Sequence, residues 1–362
     1  MALKPHIVYY PFALLYGAIV ALRNTLFHRG ILKETPSPIP LIGVGNLSAG
    51  GTGKTPHVEY LVEKLLNEGR KVAMISRGYG RTTKGFLLAD EQSRASEIGD
   101  EPWQLKHKFP QLIVAVDANR RRAIRKTREL YPDLQVIVMD DSFQHRYVKP
   151  DLNIMLMDYH RPIWRDHLLP AGYLREWRRG RKRADVIIVT KCPAALSDQE
   201  RKFMKEKLVM RPEQKLFYTY VANEHIYCLA EPNKPLHLKE GLLNRPVMLI
   251  TGIANPYELQ HTVAQHTTVY PFFFPDHHRF EKADLRRVEQ TAKPLRAKAP
   301  IILTTEKDIA RLYEFPEFIR RWNWRIFILP VKVRFKGGDD LFLDNPELMF
   351  SNLLDAHVNK HR

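Results

Sequence analysis

Residues 41–55 read LIGVGNLSAGGTGKT, and the parsing of that stretch decides the fold. Leu41 to Asn46 is a short apolar run, a glycine-rich turn follows at once, and from Pro56 to Glu68 apolar residues recur at helical spacing. Strand, loop and helix in that order are the setting a phosphate-cradling loop requires. Glycines let backbone N–H groups turn inward around phosphates, and the helix N-terminus adds its partial positive charge. Ser48 stands where the usual GxxxxGK[ST] spacing has its first glycine, so the strict pattern fails at one position. The expected nucleotide-binding residues are Ser48, Ala49, Gly50, Gly51, Thr52, Gly53, Lys54 and Thr55. Lys54 would neutralise phosphate, and Thr55 would hold Mg²⁺.

Outward from this loop the same alternation continues. KVAMIS (71–76), QLIVAV (111–116), LQVIVMD (134–140), LNIMLMD (152–158) and ADVIIVT (184–190) are short, continuously apolar runs separated by helix-like stretches such as 119–130 and 197–208. Runs of that kind suit strands buried on both faces of a mostly parallel sheet. Residues 216–245 break the pattern and read as a two-stranded linker. A second alternation follows, with strands in PVMLITGI (246–253), VYPFFF (269–274), PIILTT (300–305) and RIFILPV (325–331). The expectation is an α/β fold: a P-loop NTPase-like, mostly parallel sheet over 34–215, a smaller α/β domain over 246–362, and an N-terminal hydrophobic helix within 1–33.

The charge balance, 57 Lys plus Arg against 40 Asp plus Glu, favours an anionic partner. Charge alone does not choose between nucleotide, nucleic acid and an acidic lipid surface. No helix-turn-helix, zinc-finger or RNP pattern occurs and the basic residues are spread along the chain, which argues against nucleic acid. Two cysteines, Cys192 and Cys228, without CxxC spacing, suit a reducing compartment and structural thiols. IVYYPFALLYGAIVAL (7–22) is uncharged but shorter than the roughly 20 residues that spanning a bilayer needs. Followed by Arg23, His28, Arg29 and Lys33, it suits an interfacial helix on an anionic membrane. The alternative is a buried core helix, since Phe12, Leu15, Ile19, Leu22 and Leu26 fall on one helical stripe.

The chemistry-bearing residues gather in loops expected at the carboxyl edge of the first sheet, where open α/β sheets bind ligands. Asp140 and Asp141 end one strand and could orient Mg²⁺; without the loop at 48–55 they would read as a helix cap. SRGYGR (76–81), GDEP (99–102) and LPAGYLRE (169–176) leave other strands. Arg77, Arg120 and Arg175 could clamp phosphate there, although a single arginine in so basic a chain is as readily a solvated side chain. VTK (189–191) sits where other P-loop proteins meet the nucleobase. FPDHHRF (274–280) and TTEKDIAR (304–311) mark the second domain, and nothing near the DHH triplet has the ligand spacing of a zinc cage.

Taken in order, GNLSAGGTGKTP, SRGYGR, GDEP, DDSFQHR, LPAGYLRE, FPDHH and TTEKD resemble the motif series of the tetraacyldisaccharide 4'-kinases over residues 40 to 311. Ser142 and Tyr173 depart from it, where that family usually has Gly and Pro. The resemblance implies an ATP- and Mg²⁺-dependent lipid kinase acting on the 4'-hydroxyl of a tetraacylated glucosamine disaccharide 1-phosphate. It places the enzyme at the cytoplasmic face of a Gram-negative inner membrane; apart from the resemblance, the chain is expected to be a monomer without a nucleic-acid partner. It implies that Asp100 is the general base and His277 its partner, reaching over from the second domain, with Lys54 and Arg175 stabilising transferred charge. Thr55, Asp140, Asp141, Gln144 and Glu176 become candidates around the metal, and Arg77, Tyr79, Arg120 and His145 candidate contacts to substrate or phosphate. The alternative is a P-loop NTPase that hydrolyses nucleotide as a switch or loader for a protein partner.

Overall fold

The computed structural model describes residues 7–193, 195–222, 225–242, 245–253, 256–276, 278–336 and 345–359. They form two compact units: residues 1–92, 105–221 and 333–362 make the first, and 93–104 with 222–332 the second.

The first unit opens with α1 (Tyr10–His28). Its strands in chain order are β1 (Thr35–Pro36), β2 (Leu41–Asn46), β3 (Val72–Ser76), β4 (Leu87–Leu88), β5 (Ile113–Val116), β6 (Val136–Asp140), β7 (Val148–Lys149), β8 (Leu152–Asp158), β9 (Val186–Thr190) and β10 (Lys215–Ala222). β1 and β7 form a small parallel ladder of their own. The others, closed by β17 (Lys332–Lys336), make a nine-stranded sheet among the described residues, in the order β17-β10-β9-β8-β2-β6-β3-β5-β4. From β10 to β5 every neighbouring pair is parallel. β2, β3, β5 and β9 are buried at every residue, the signature their unbroken apolar runs carried. The crossovers include α2 (Lys54–Asn67), α5 (Arg120–Leu130) and α6 (Asp198–Leu208), while α3 (Ala95–Ile98) and α4 (Asp100–Lys108) lie between β4 and β5.

Helix α1 lies on the first unit by its small side. Ala13, Gly17 and Phe27 are buried, and a Cβ on Gly17 would come within 2.5 Å of Leu168 and 2.9 Å of Trp177. Trp177 Nε1 donates to Gly17 O at 2.8 Å and Tyr16 Oη to Arg175 O at 2.7 Å. The apolar stripe that would have made a core helix faces away: Phe12, Leu15, Ile19 and Leu22 are 60–63% exposed.

The second unit holds β11 (His225–Cys228), β12 (Glu231–His237), β13 (Val247–Thr251), β14 (Val269–Phe273), β15 (Ile301–Thr305) and β16 (Ile326–Leu329), in the order β12-β11-β16-β15-β13-β14. Its helices are α7 (Leu238–Leu242), α8 (Pro256–Ala264), α9 (Lys282–Ala292), α10 (Glu306–Leu312) and α11 (Pro316–Trp322). Leu249, Leu303, Val263 and Phe327 belong to its core.

The division differs from the sequence boundaries in three places. The supposed linker does not exist as such, because β10 extends the large sheet while β11 and β12 belong to the smaller one. The end of the chain leaves the second unit: β17 returns to the large sheet, and α12 (Pro346–Val358) packs Phe350 against Phe217 of β10 with ring centroids 5.3 Å apart. Residues 93–104, which carry GDEP, group with the second unit, where the Trp103 ring lies 5.1 Å from that of Tyr313.

Candidate nucleotide site

Between β2 and α2 the chain turns through Leu47 to Gly53, with Gly50 at φ +92° and Gly53 at φ +81°. Both angles are in the left-handed region open to glycine. Gly45 has a different role: a Cβ there would lie 2.6 Å from the Phe143 backbone N, so its bareness lets the loop after β6 close over β2. That loop contains Ser142. Its amide donates to Val44 O at 3.0 Å and its φ is not positive, so a side chain is accommodated where the motif series usually has glycine. Tyr173 makes use of an amide that proline lacks, donating to Asp166 Oδ1 at 3.0 Å.

Lys54 opens α2, and its Nζ lies 3.6 Å from Asp141 Oδ1 and 3.4 Å from Asn46 Oδ1. Asp141, at φ +47°, is clasped from the other side by Arg175 through paired bonds of 2.8 and 2.9 Å. Burial alone would raise the Asp141 carboxyl, but the Arg175 hydrogen bonds, with Lys54 and Arg120 nearby, outweigh it and hold it well below the usual carboxylate range. One carboxylate thus separates two cations that would otherwise repel, leaving a net positive charge beside the glycine loop. Asn46, fully buried, ties the group together: its Nδ2 donates to Thr52 Oγ1 at 2.6 Å, and its carbonyls accept from Lys54, Arg175 and Gln144. Sequence reasoning passed over it, although it directly precedes the loop in LIGVGN.

Of the five metal candidates, Thr55 makes no hydrogen bond through its hydroxyl among the described residues. Asp140 ends β6 beside β2, pairing with Val44 in register, and Asp141 follows it in the turn. Hydroxyl and carboxylate oxygens at these places are the hard donors that suit Mg²⁺. Among the described residues no cluster of three or more His, Cys, Asp or Glu could form a metal cage by itself. Glu176 is differently employed. It is 2% exposed, and its two oxygens accept from Arg183 at 2.7 and 2.8 Å, Gln144 at 3.0 Å and Asn24 at 3.2 Å. Exchanging Glu176 for alanine strands the Arg183 charge, and we expect a loss of about 3–5 kcal/mol in urea unfolding. A loss under about 1 kcal/mol would show that the pair does not hold the loop.

A second positive region lies around His145. Arg120 is 3% exposed, donates to Asp117 O at 2.6 Å and to Asp140 O at 3.4 Å, and burial lowers its guanidinium to about 10. His145 is lowered to about 4 by burial and then by the charges of Arg120, Arg23, Arg121 and Arg77, so the ring is neutral within a field that attracts anions. Arg77 is exposed and makes no hydrogen bond among the described residues, and Tyr79 is 71% exposed.

In the second unit, Asp100 begins α4 and its Oδ2 accepts from Arg311 at 2.6 and 2.9 Å. The same guanidinium donates to His278 O at 3.3 Å, so one residue of TTEKDIAR joins GDEP to FPDHH. His278 Nε2–H donates to Asp284 Oδ2 at 2.9 Å and the ring stacks on Phe274, and Asp276 pairs with Lys307 at 2.8 Å. His277 lies outside the described residues. The expectation that the base and its partner segment come from different domains does not hold, because residues 93–104 belong to the unit that carries FPDHH.

A glycine loop that leaves the carboxyl end of a central parallel strand, enters a helix through lysine and faces an acidic strand end makes this a P-loop nucleotide-binding protein. Comparison with known proteins narrows the class. The profile of the tetraacyldisaccharide-1-P 4'-kinase family matches residues 5–345. A tetraacyldisaccharide 4'-kinase of Parabacteroides distasonis is 43% identical over 355 residues, covering 96% of this chain and 94% of the relative. One from Flavobacterium johnsoniae is 41% identical over 329 residues, covering 91% and 92%. The LpxK structure from Aquifex aeolicus, crystallised with ATP, superposes with a TM-score of 0.71 at 26% identity, covering 97% of this chain and 98% of that one. The chain belongs to the tetraacyldisaccharide-1-P 4'-kinase family.

Proposed function

We propose that this protein transfers the γ-phosphate of ATP to the 4'-hydroxyl of a tetraacylated glucosamine disaccharide 1-phosphate, at the cytoplasmic face of the inner membrane. The observation that carries the reading is the convergence of Lys54 and Arg175 on Asp141 beside the glycine loop, in a chain of this family. Within residues 48–55 the Ala49 and Thr52 amides already donate to Tyr173 O and Gly50 O, so the phosphates are taken by the other backbone N–H groups of the loop. Thr55 with Asp140 and Asp141 would hold Mg²⁺, Gln144 standing beside them and Glu176 orienting Gln144. Bound Mg²⁺ would neutralise charge on the β- and γ-phosphate oxygens. When ATP enters, its phosphates compete with Asp141 for Lys54 and Arg175, which then meet the charge that grows on the group in transfer. Arg77, Tyr79, Arg120 and His145 receive anionic groups of the substrates. Asp100, by its place in GDEP, takes the proton of the attacking hydroxyl, a poor nucleophile until that proton has an acceptor.

The direct test is labelled γ-phosphate with a tetraacyldisaccharide 1-phosphate in detergent. Label on the lipid supports the kinase; label found only as free phosphate replaces it with a hydrolysing switch.

The substrate's acyl chains bear on location, since each buried CH₂ contributes about 0.8 kcal/mol and such a lipid does not readily leave a bilayer. α1 offers the matching surface. Among the described residues it is the helix long and apolar enough to cross a membrane. Its exposed Phe12, Leu15, Ile19 and Leu22 are followed by exposed Arg29 and Lys33. Serine at positions 12, 15 and 19 should release the protein from anionic vesicles in flotation while its melting temperature stays unchanged. Undiminished flotation would remove α1 from the membrane contact.

A further inference from the structure

A loop that binds phosphate with its amides must turn its carbonyls the other way, because the C=O and N–H of a planar trans peptide point in opposite directions. Each carbonyl so turned needs a donor of its own. In this loop four are met by side chains. Ala49 O accepts from Arg161 Nη2 at 2.9 Å, Gly51 O from Lys191 Nζ, Thr52 O from Thr190 Oγ1 at 2.9 Å, and Gly53 O from His57 Nδ1 at 2.7 Å. Gly50 O accepts the Thr52 amide at 2.9 Å, which completes the set from 49 to 53.

His57 differs from the other three in standing inside the helix that follows the loop, 4% exposed. A carbonyl can only accept, so Nδ1 carries the proton and Nε2 accepts from Thr219 Oγ1, 3.0 Å away on β10. Thr219 is itself 1% exposed. The peptide that ends in Gly53 O also carries the Lys54 N–H, and Gly53 is at φ +81°, a conformation that glycine holds only loosely without outside support. Gly53 O also accepts the His57 backbone amide, at 3.4 Å, so the shorter bond from a ring braced by the sheet adds to the first helical turn in setting the plane of the peptide from which the Lys54 amide departs.

We propose that His57 is a positioning residue for ATP: braced by Thr219, it fixes the Gly53–Lys54 peptide so that the amide and ammonium of Lys54 are aimed at the phosphates. The inference rests on the reading of residues 48–55 as the nucleotide loop. A histidine that merely filled the core would contribute to stability and leave nucleotide affinity alone.

The test compares wild type, His57→Leu, His57→Gln and Thr219→Val by ATP titration with Mg²⁺ and by steady-state kinetics, each beside a thermal melt. His57→Leu keeps the bulk and loses the donor; it should raise the KM and Kd for ATP about tenfold, the worth of one hydrogen bond. The KM for the lipid should not change. His57→Gln restores an N–H and should recover most of the loss, and Thr219→Val, which removes only the brace, should give a rise of about threefold. Should His57→Leu fail to fold, Thr219→Val and His57→Gln carry the decision. A lowered melting temperature with ATP KM unchanged in the folded variants overturns the inference and leaves His57 a packing residue. Wild type that binds no ATP at all overturns the reading of the loop, and the inference with it.

Discussion

Alanine in place of Lys54 should reduce kcat/KM for ATP by about 10²–10³, the loss typical of removing one preorganised charge from a developing oxyanion. The side chain is 22% exposed and its neighbours are other polar groups, so folding should survive with a melting temperature close to wild type. The size of the effect comes from what remains. Without Lys54, the Asp141 charge is balanced by its bonded Arg175, and the net positive charge that met incoming phosphate beside the loop is lost. Lys54→Met, nearly isosteric and uncharged, should fall as far as alanine. Activity within tenfold of wild type in both would take Lys54 out of the chemistry.

The second large effect is expected in the other unit. Asp100→Ala should lower kcat by about 10²–10⁴ with the KM for ATP little altered, because a general base acts on the acceptor hydroxyl and not on nucleotide binding. Arg311 makes two bonds to one oxygen of that carboxylate and a third to the His278 backbone. Arg311→Lys cannot reproduce that fork and should cost less than Asp100→Ala but more than a surface change. Wild-type kcat in Asp100→Ala would end the assignment of the base; wild-type kcat in Arg311→Lys alone would show that Asp100 needs no such support.

The legible parts of the fold were those in which burial writes itself locally. β3, β5, β6 and β9 are short and buried, and their apolar runs announced them within a residue or two. What could not be read was partnership. β10 is buried from Leu216 to Tyr218, as a central strand is, yet nothing in it specifies that β9 lies beside it, and β17 joins the same sheet from more than a hundred residues further on. The site divides in the same way. Lys54, Asp141 and Arg175 sit in motifs whose spacing has a chemical reason, whereas Asn46, Arg161, Arg183 and His57 act through hydrogen bonds formed only after distant segments meet. Lys191 was noticed for the nucleobase, and its bonds in the structure go to Gly51 O and Asp158.

The return of the chain to the large sheet has a consequence for the order of events on the ribosome. Residues 222–332 are contiguous and carry the whole six-stranded sheet of the second unit, so that sheet can be completed while the last segment is still being made. The first unit must wait. Its P-loop, its helix α2 and most of its strands emerge early, but β17 and Phe350 of α12 arrive last, after an interval of about 5–20 s at ordinary elongation rates. During that interval the edge of β10 is unpaired and Phe217 lacks its aromatic cover. The nascent nucleotide unit therefore carries an open strand edge until β17 is made, and a stop between residue 332 and Phe350 leaves the domain synthesised first without its edge strand or its aromatic cover.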